Sequence, residues 1–130
     1  MKKIKGCLVK YNVPWYNGTI ISPGAFKRCD GYKIPVYDSF DNVFNPDHIV
    51  GHADLKCESD GVYYECFLND SYSANEVFKS ISNNKDGYHI GLFANRILKI
   101  KGNVTDGDIR FAAFAPKTDG ASSIDGITEE

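Results

Sequence analysis

Apolar and polar residues alternate along several short segments of this chain, the pattern of β-strands that bury one face. Residues 49–56 and 62–68 both alternate in this way, with the turn sequence Ser59-Asp60-Gly61 between them. We therefore predict a β-hairpin in which residues 49–56 pair with residues 61–68. Further strands are predicted over the ranges 4–11, 32–37, 88–100 and 108–115, with a short extended piece at 19–21 and a turn at 102–107.

One segment has helical periodicity instead. Ser73-Ala74-Asn75-Glu76 has the sequence of a capping box, in which the serine hydroxyl and the glutamate carboxylate bond each other's backbone N–H groups. The helix that follows is predicted to bury Phe78 and Ile81. A second helical turn is predicted at Pro23, with Ser22 as its cap.

About seven strands with one clear helix predict a mainly β (α+β) fold. The expected architecture is an antiparallel β-barrel of about seven strands with one or two flanking helices. We place a single barrel domain at residues 1–116. Residues 117–130 are small and polar and are interpreted as a C-terminal tail, with Ile124 as its candidate anchor.

Composition narrows the classes of function. The chain has 130 residues, 42% hydrophobic and 25% charged, which is typical of one soluble globular domain. A net charge of -2 argues against nucleic acid as a partner. No apolar run is long enough to span a membrane, and the basic start lacks the apolar stretch of a signal peptide. We therefore expect a cytoplasmic protein without a membrane partner.

The residues that could hold a metal are few and scattered. No two of the four cysteines have Cys-x-x-Cys spacing, and the three histidines do not cluster. Asp38, Asp41 and Asp47 do not have the spacing of a calcium loop. We expect reduced thiols, no metal and no cofactor.

Short motifs follow one another in a specific order between about residues 6 and 125. They include Pro23-Gly24-Ala25-Phe26, Ile34-Pro35-Val36-Tyr37, Ile49-Val50-Gly51-His52-Ala53, Asp60-Gly61-Val62-Tyr63, Phe93-Ala94-Asn95 and Ile124-Asp125. This series resembles the prohead maturation proteases of tailed bacteriophages, which share a barrel fold with the herpesvirus assembly protease. The resemblance implies a prohead-protease-like barrel.

The chain departs from that family at the positions of the catalytic residues. The family's nucleophilic serine aligns with Gly91 or, in a second alignment, with His89. The position of its catalytic histidine aligns with Ser39 or Phe40, and His48 comes too late to be in register. Because serine proteolysis needs a hydroxyl activated by a neighbouring base, the resemblance implies a pseudoprotease without a catalytic pair.

Two routes to activity stay open. Ser39 and His89 occupy exchanged places and could form a swapped dyad. Alternatively, Cys57 or Cys66 near His52 could supply a thiol nucleophile, although His52 is readily explained as a structural or exposed residue.

The resemblance implies a structural role in phage or prophage capsid assembly, as an assembly factor, a scaffold-associated protein or a capsid decoration protein. Its expected partner is a capsid or scaffold protein, and we expect an oligomeric or capsid-associated protein in the host cytoplasm or the virion. The alternative is an active capsid maturation endopeptidase with a rearranged dyad. A binding module unrelated to capsids is a third hypothesis.

Aromatic residues concentrate near the predicted base position. Tyr37, Phe40 and Phe44 are candidate partner-binding residues, because aromatic side chains dominate the energetics of protein interfaces. The equally open interpretation is that they cap the end of the barrel as part of its core.

Overall fold

The computed structural model describes residues 2–14, 18–117 and 122–129. Seven strands lie in these ranges: β1 (Lys2–Lys10), β2 (Lys33–Tyr37), β3 (Ile49–Glu58), β4 (Gly61–Leu68), β5 (Tyr88–Ile100), β6 (Asn103–Pro116) and β7 (Ser123–Glu129). The α-helix α1 (Tyr72–Asn83) follows β4. Short 3-10 helices occupy Lys27–Cys29, Phe40–Asn42, Pro46–His48 and Lys85–Gly87. No helix in the described ranges is long and apolar enough to cross a membrane.

The strands form one curled sheet, a half-barrel, in the order β5-β6-β2-β3-β4-β1-β7. Neighbouring strands are antiparallel except β2 and β6, which run parallel where Val36 faces Ala112. The edge strands β5 and β7 approach each other, but no ladder joins them among the described residues. The predicted mainly β fold is confirmed, whereas the sheet is mixed rather than wholly antiparallel and the barrel is only partly closed.

The predicted hairpin is confirmed. β3 and β4 pair from Gly51 opposite Leu68 to Glu58 opposite Gly61. Residues on one face of both strands are buried, among them Ala53, Leu55, Val62, Tyr64 and Cys66. Period-two alternation therefore identified the inner face of these strands.

The helix begins earlier than its sequence pattern indicates. Ser71, not Ser73, caps α1: its Oγ accepts a hydrogen bond from the Ala74 backbone N–H at 3.1 Å. Asn69 Oδ1 accepts from both the backbone N–H and the hydroxyl of Ser71 and so fixes the cap. The predicted capping box is therefore wrong, and the N-cap lies two residues before the predicted one.

The buried face of α1 is also narrower than predicted. Ile81 is fully buried, as expected, together with Ala74. Phe78 is only half-buried, and the Lys2 ammonium lies 5.3 Å from its ring centroid. The predicted burial of Phe78 is therefore confirmed only in part: its ring packs against the buried core but stays partly exposed beside the Lys2 ammonium.

Three further segments differ from prediction. The helical turn expected to begin at Ser22 and Pro23 begins later, as the 3-10 helix Lys27–Cys29, because Gly24 has a left-handed φ of 76° and residues 23–26 form turns. The segment predicted as a polar tail contains β7, which pairs with β1 and buries Ile124. Residues 118–121 and 130 of that segment lie outside the described residues. β6 begins at Asn103, so the predicted turn at 102–107 is confined to Lys101 and Gly102.

Aromatic rings from outside the sheet pack on glycines of β5 and β6. Phe26, the largest fully buried side chain, lies against Gly107, where an added Cβ would come 2.4 Å from Phe26 Cε1. A second ring, that of Phe40, lies over Gly91 in the same way. The glycines thus leave room for rings that anchor the connecting segments to the sheet.

Candidate functional site

The β2–β3 loop, residues 38–48, is closed at its base by bonds between its two ends. The Asp38 backbone N–H donates to the His48 carbonyl at 3.1 Å, and His48 Nδ1 lies 2.7 Å from Asp38 Oδ2. Asn42 Nδ2 donates to Asp38 Oδ1 at 2.9 Å and to Ser39 Oγ at 3.1 Å. This network holds the 3-10 helix Phe40–Asn42 in place, because each bond restrains a side chain that also bonds another.

The Phe40 ring points from this loop onto β5. A Cβ atom at Gly91 would lie 2.4 Å from Phe40 Cζ, much closer than van der Waals contact permits. The ring also packs edge-on against His89 and Phe93, with centroid distances of 6.3 and 5.4 Å. The structure therefore brings together the positions aligned with the family's base and nucleophile, and an aromatic ring occupies the space above Gly91.

His89 is buried beside this ring. Its Nδ1 has no hydrogen-bond partner among the described residues. Burial lowers the pKa of His89, and the carbonyl groups of Pro116 and Ala115 act in the opposite direction. We therefore interpret His89 as a neutral imidazole at neutral pH.

Ser39 and His89 do not form the swapped dyad in this structure. No hydrogen bond between described residues joins them: Ser39 Oγ accepts from Asn42, and the Phe40 ring packs on His89. Ser39 instead lines an open cleft of about 390 Å³ between the β2–β3 loop and α1, which is also lined by Asn42, Tyr72 and Glu76. His89 does not line that cleft.

Four phenylalanines form a connected group, which we call the aromatic surface: Phe40, Phe44, Phe93 and Phe111. Phe93 stacks on Phe111 at 4.6 Å between centroids, and Phe44 meets Phe111 edge-on at 5.1 Å. Tyr37 also packs edge-on against Phe111, at 5.7 Å, but it is buried. Tyr37 therefore supports the surface from the core, whereas Phe40 and Phe44 are 45% and 77% exposed.

Phe44 is held in an unusual backbone conformation. Its φ of 72° lies in the left-handed region, which is strained for a bulky side chain. Such strain costs on the order of 1–3 kcal/mol and persists only where the surroundings impose it. The loop thus holds a largely exposed aromatic ring against Phe111 at the cost of backbone strain, which makes Phe44 a functional candidate.

The cysteines do not form a nucleophilic site. Burial raises the pKa of Cys57 to about 11 and that of Cys66 to about 12, so both remain protonated thiols at neutral pH. His52 is exposed and stacks on Phe67. No group of three His, Cys, Asp or Glu residues in the described part of the chain could hold a metal ion.

Comparisons with protein-family models, with curated proteins and with solved structures find no match for this chain. The fold and the site define a mainly β protein whose half-barrel carries an exposed aromatic surface. The resemblance to prohead proteases therefore stays a prediction from the order of motifs.

The contact of Phe40 with Gly91 predicts energetic coupling between the two residues. Gly91→Ala should destabilise the protein by about 1–3 kcal/mol, because the new methyl group must displace the ring. With Phe40→Ala in place, the same change should be neutral or stabilising by up to about 1 kcal/mol, since glycine inside a strand is unfavourable. Urea unfolding of the four proteins in this cycle measures the coupling.

The matched control repeats Gly91→Ala in a Phe44→Ala background. Phe44 belongs to the same loop, but none of its atoms is among the three that lie nearest to a Cβ atom at residue 91. Its removal should leave the cost of Gly91→Ala unchanged. Additivity within about 0.5 kcal/mol in the Phe40 cycle would contradict the contact.

Burial of His89 predicts a pH-dependent stability. Because its pKa in the folded protein lies below its ordinary value of 6.5, the unfolded chain takes up the proton first as pH falls. The free energy of unfolding should therefore decrease below about pH 6.5, and His89→Gln should flatten this decrease. Urea unfolding at several pH values measures it, with the exposed His52→Gln as control. Equal pH dependence in wild type and His89→Gln would contradict a lowered pKa of His89 in the folded protein.

Proposed function

We propose that this protein is a catalytically inactive, prohead-protease-like domain with a structural role in phage or prophage capsid assembly. It binds a capsid or scaffold protein through the aromatic surface. The exposed, conformationally strained Phe44 is the observation that carries the binding role. The capsid context rests on the order of motifs in the sequence.

The arrangement around Gly91 supports the proposal that the protein is catalytically inactive. A nucleophile at residue 91 would need a side chain, and the Phe40 ring fills the space that its Cβ would occupy. His89, at the alternative position, is buried beneath the same ring. Without a hydroxyl and a base in contact, the covalent step of a serine protease has no nucleophile.

The arrangement of the rings in the aromatic surface supports the proposal that this surface binds a partner protein. Interface hot spots are enriched in large side chains that supply apolar area at low entropic cost. Phe44 rests edge-on against Phe111, which in turn stacks on Phe93, so its ring is pre-positioned before any partner arrives. Pre-positioning reduces the entropy lost on binding.

Binding should therefore depend on Phe44. In co-sedimentation with purified capsid and scaffold proteins of the same phage or prophage, Phe44→Ala should weaken binding by about 10-fold or more, a hot-spot loss of about 1.4 kcal/mol or more. Tyr72→Ala is the matched control, because Tyr72 is an aromatic residue of α1 with 79% exposure. Wild-type binding by a folded Phe44→Ala protein would exclude the aromatic surface as the interface.

One observation favours an active hydrolase as a second candidate. The contact between His48 Nδ1 and Asp38 Oδ2 has the geometry of a general base and its orienting carboxylate. Ser39 is linked to the same network through Asn42, although its Oγ makes no hydrogen bond to His48. The pair lacks a contacting nucleophile, which is why we rank this candidate second.

Incubation with the same capsid and scaffold proteins, followed by mass spectrometry of the products, distinguishes the two candidates. We expect no specific fragment. Specific cleavage lost in Ser39→Ala and His48→Ala would establish a hydrolase built on the β2–β3 loop. Loss in Ser39→Ala and His89→Ala would establish the swapped dyad instead.

A further inference from the structure

The end of the β5–β6 hairpin combines exposed apolar side chains with positive charge. We call residues 96–101 the hairpin tip; its members are Arg96, Ile97, Leu98, Lys99, Ile100 and Lys101. The three apolar side chains are each between 45 and 54% exposed. Exposed apolar residues are ordinary when scattered singly, but a contiguous group indicates an interaction surface.

The positive charges of the hairpin tip are not neutralised within the protein. In the described ranges, no carboxylate forms an ion pair with Arg96, Lys99 or Lys101. The acidic residues of β6 have partners already: Asp106 pairs with Arg28, and Asp108 with Arg110. A chain with a net charge of -2 thus presents a locally basic surface.

The backbone of the hairpin tip is open on one side. β5 is an edge strand, paired with β6 alone. On the opposite side of the hairpin, the Val104 backbone bonds Ile20 and Ser22, at 2.9 and 2.8 Å, which holds β6 in place. Register shifts between Asn95 and Leu98 and between Leu98 and Lys99 mark bulges in the hairpin tip, and such bulges redirect side chains at sheet edges.

We propose that the hairpin tip binds an extended acidic segment of a partner protein, which adds to β5 as a further strand. The open edge supplies backbone hydrogen bonds, and the exposed isoleucine and leucine side chains supply apolar contacts. Arg96, Lys99 and Lys101 select a segment in which carboxylates alternate with apolar residues. This site is separate from the aromatic surface and does not depend on its proposed partner.

The positive charges of the hairpin tip also make it unfavourable for two copies of the chain to pair through their β5 edges. Two antiparallel β5 edges would bring the basic side chains of both copies together, and like charges across a strand pair are unfavourable. Lysines on an edge strand protect against such pairing. The same charges attract an acidic strand, so the edge discriminates between partners.

A fluorescent ten-residue peptide of alternating glutamate and valine is the probe, and anisotropy measures its binding to the full chain. Lys99→Glu combined with Lys101→Glu should weaken binding by at least about 10-fold, and a lysine–valine peptide should then bind the variant better than wild type. Lys79→Glu is the matched control, because Lys79 is exposed on α1 and forms no ion pair among the described residues. It should change the affinity by less than about 2-fold, since rim charges distant from the contact matter little.

A peptide with the same charge but with N-methyl groups on alternate residues tests strand addition, because it cannot donate backbone hydrogen bonds along one edge. It should fail to bind. Equal binding of the methylated peptide would overturn strand addition. Failure of the unmodified peptide, or binding only to anionic phosphatidylglycerol vesicles or to a single-stranded oligonucleotide through the same lysines, would overturn the proposal as a whole. None of these outcomes bears on Phe44, so the two proposals fail independently.

Discussion

The arrangement of the site depends on one steric constraint, the absence of a side chain at Gly91. Because residue 91 has no Cβ, the Phe40 ring reaches the backbone of β5 and anchors the β2–β3 loop there. The bonds among Asp38, Asn42 and His48 fix the loop from its other end. Between these two attachments the chain holds Phe44 in a left-handed conformation and out in solvent.

The same constraint connects stability with the absence of a nucleophile. A serine at residue 91 would carry a methylene group in the space that the ring occupies, so a side chain at that position requires the Phe40 ring to move. Phe26 against Gly107 repeats the arrangement inside the core. One pair of strands, β5 and β6, therefore accepts both rings, carries the aromatic surface and ends in the basic hairpin tip.

The sequence predicts the regular elements well and the connections poorly. Alternation located the β3–β4 hairpin because each strand buries one face, and helical spacing located α1 and the burial of Ile81. The parallel contact of β2 with β6 and the strand β7 escaped prediction, because pairing between distant segments leaves no local pattern. The helix cap was misplaced for a related reason: Asn69 favours Ser71 through bonds that spacing rules do not include.

The site was predicted in part. The positions of Ser39, Phe40, His89 and Gly91 were identified as related, and the structure places Phe40 on Gly91 and on His89. Phe93, Phe111 and Asn42 were not recognised as members of the site, because their roles follow from tertiary contacts. The alignment with the family puts His48 out of register, yet His48 closes the loop, because the antiparallel pairing of β2 with β3 brings the two ends of the loop together.

The contact between Phe40 and Gly91 can be observed directly in solution. A nuclear Overhauser spectrum of the folded protein, with both residues assigned, should show strong cross-peaks between the Gly91 Hα protons and the Hζ and Hε protons of the Phe40 ring. Their absence, together with chemical shifts for that ring like those of an unfolded chain, would show that the ring is free in solvent. The space above Gly91 would then be open, and the account in which the Phe40 ring anchors the β2–β3 loop to β5 would be contradicted.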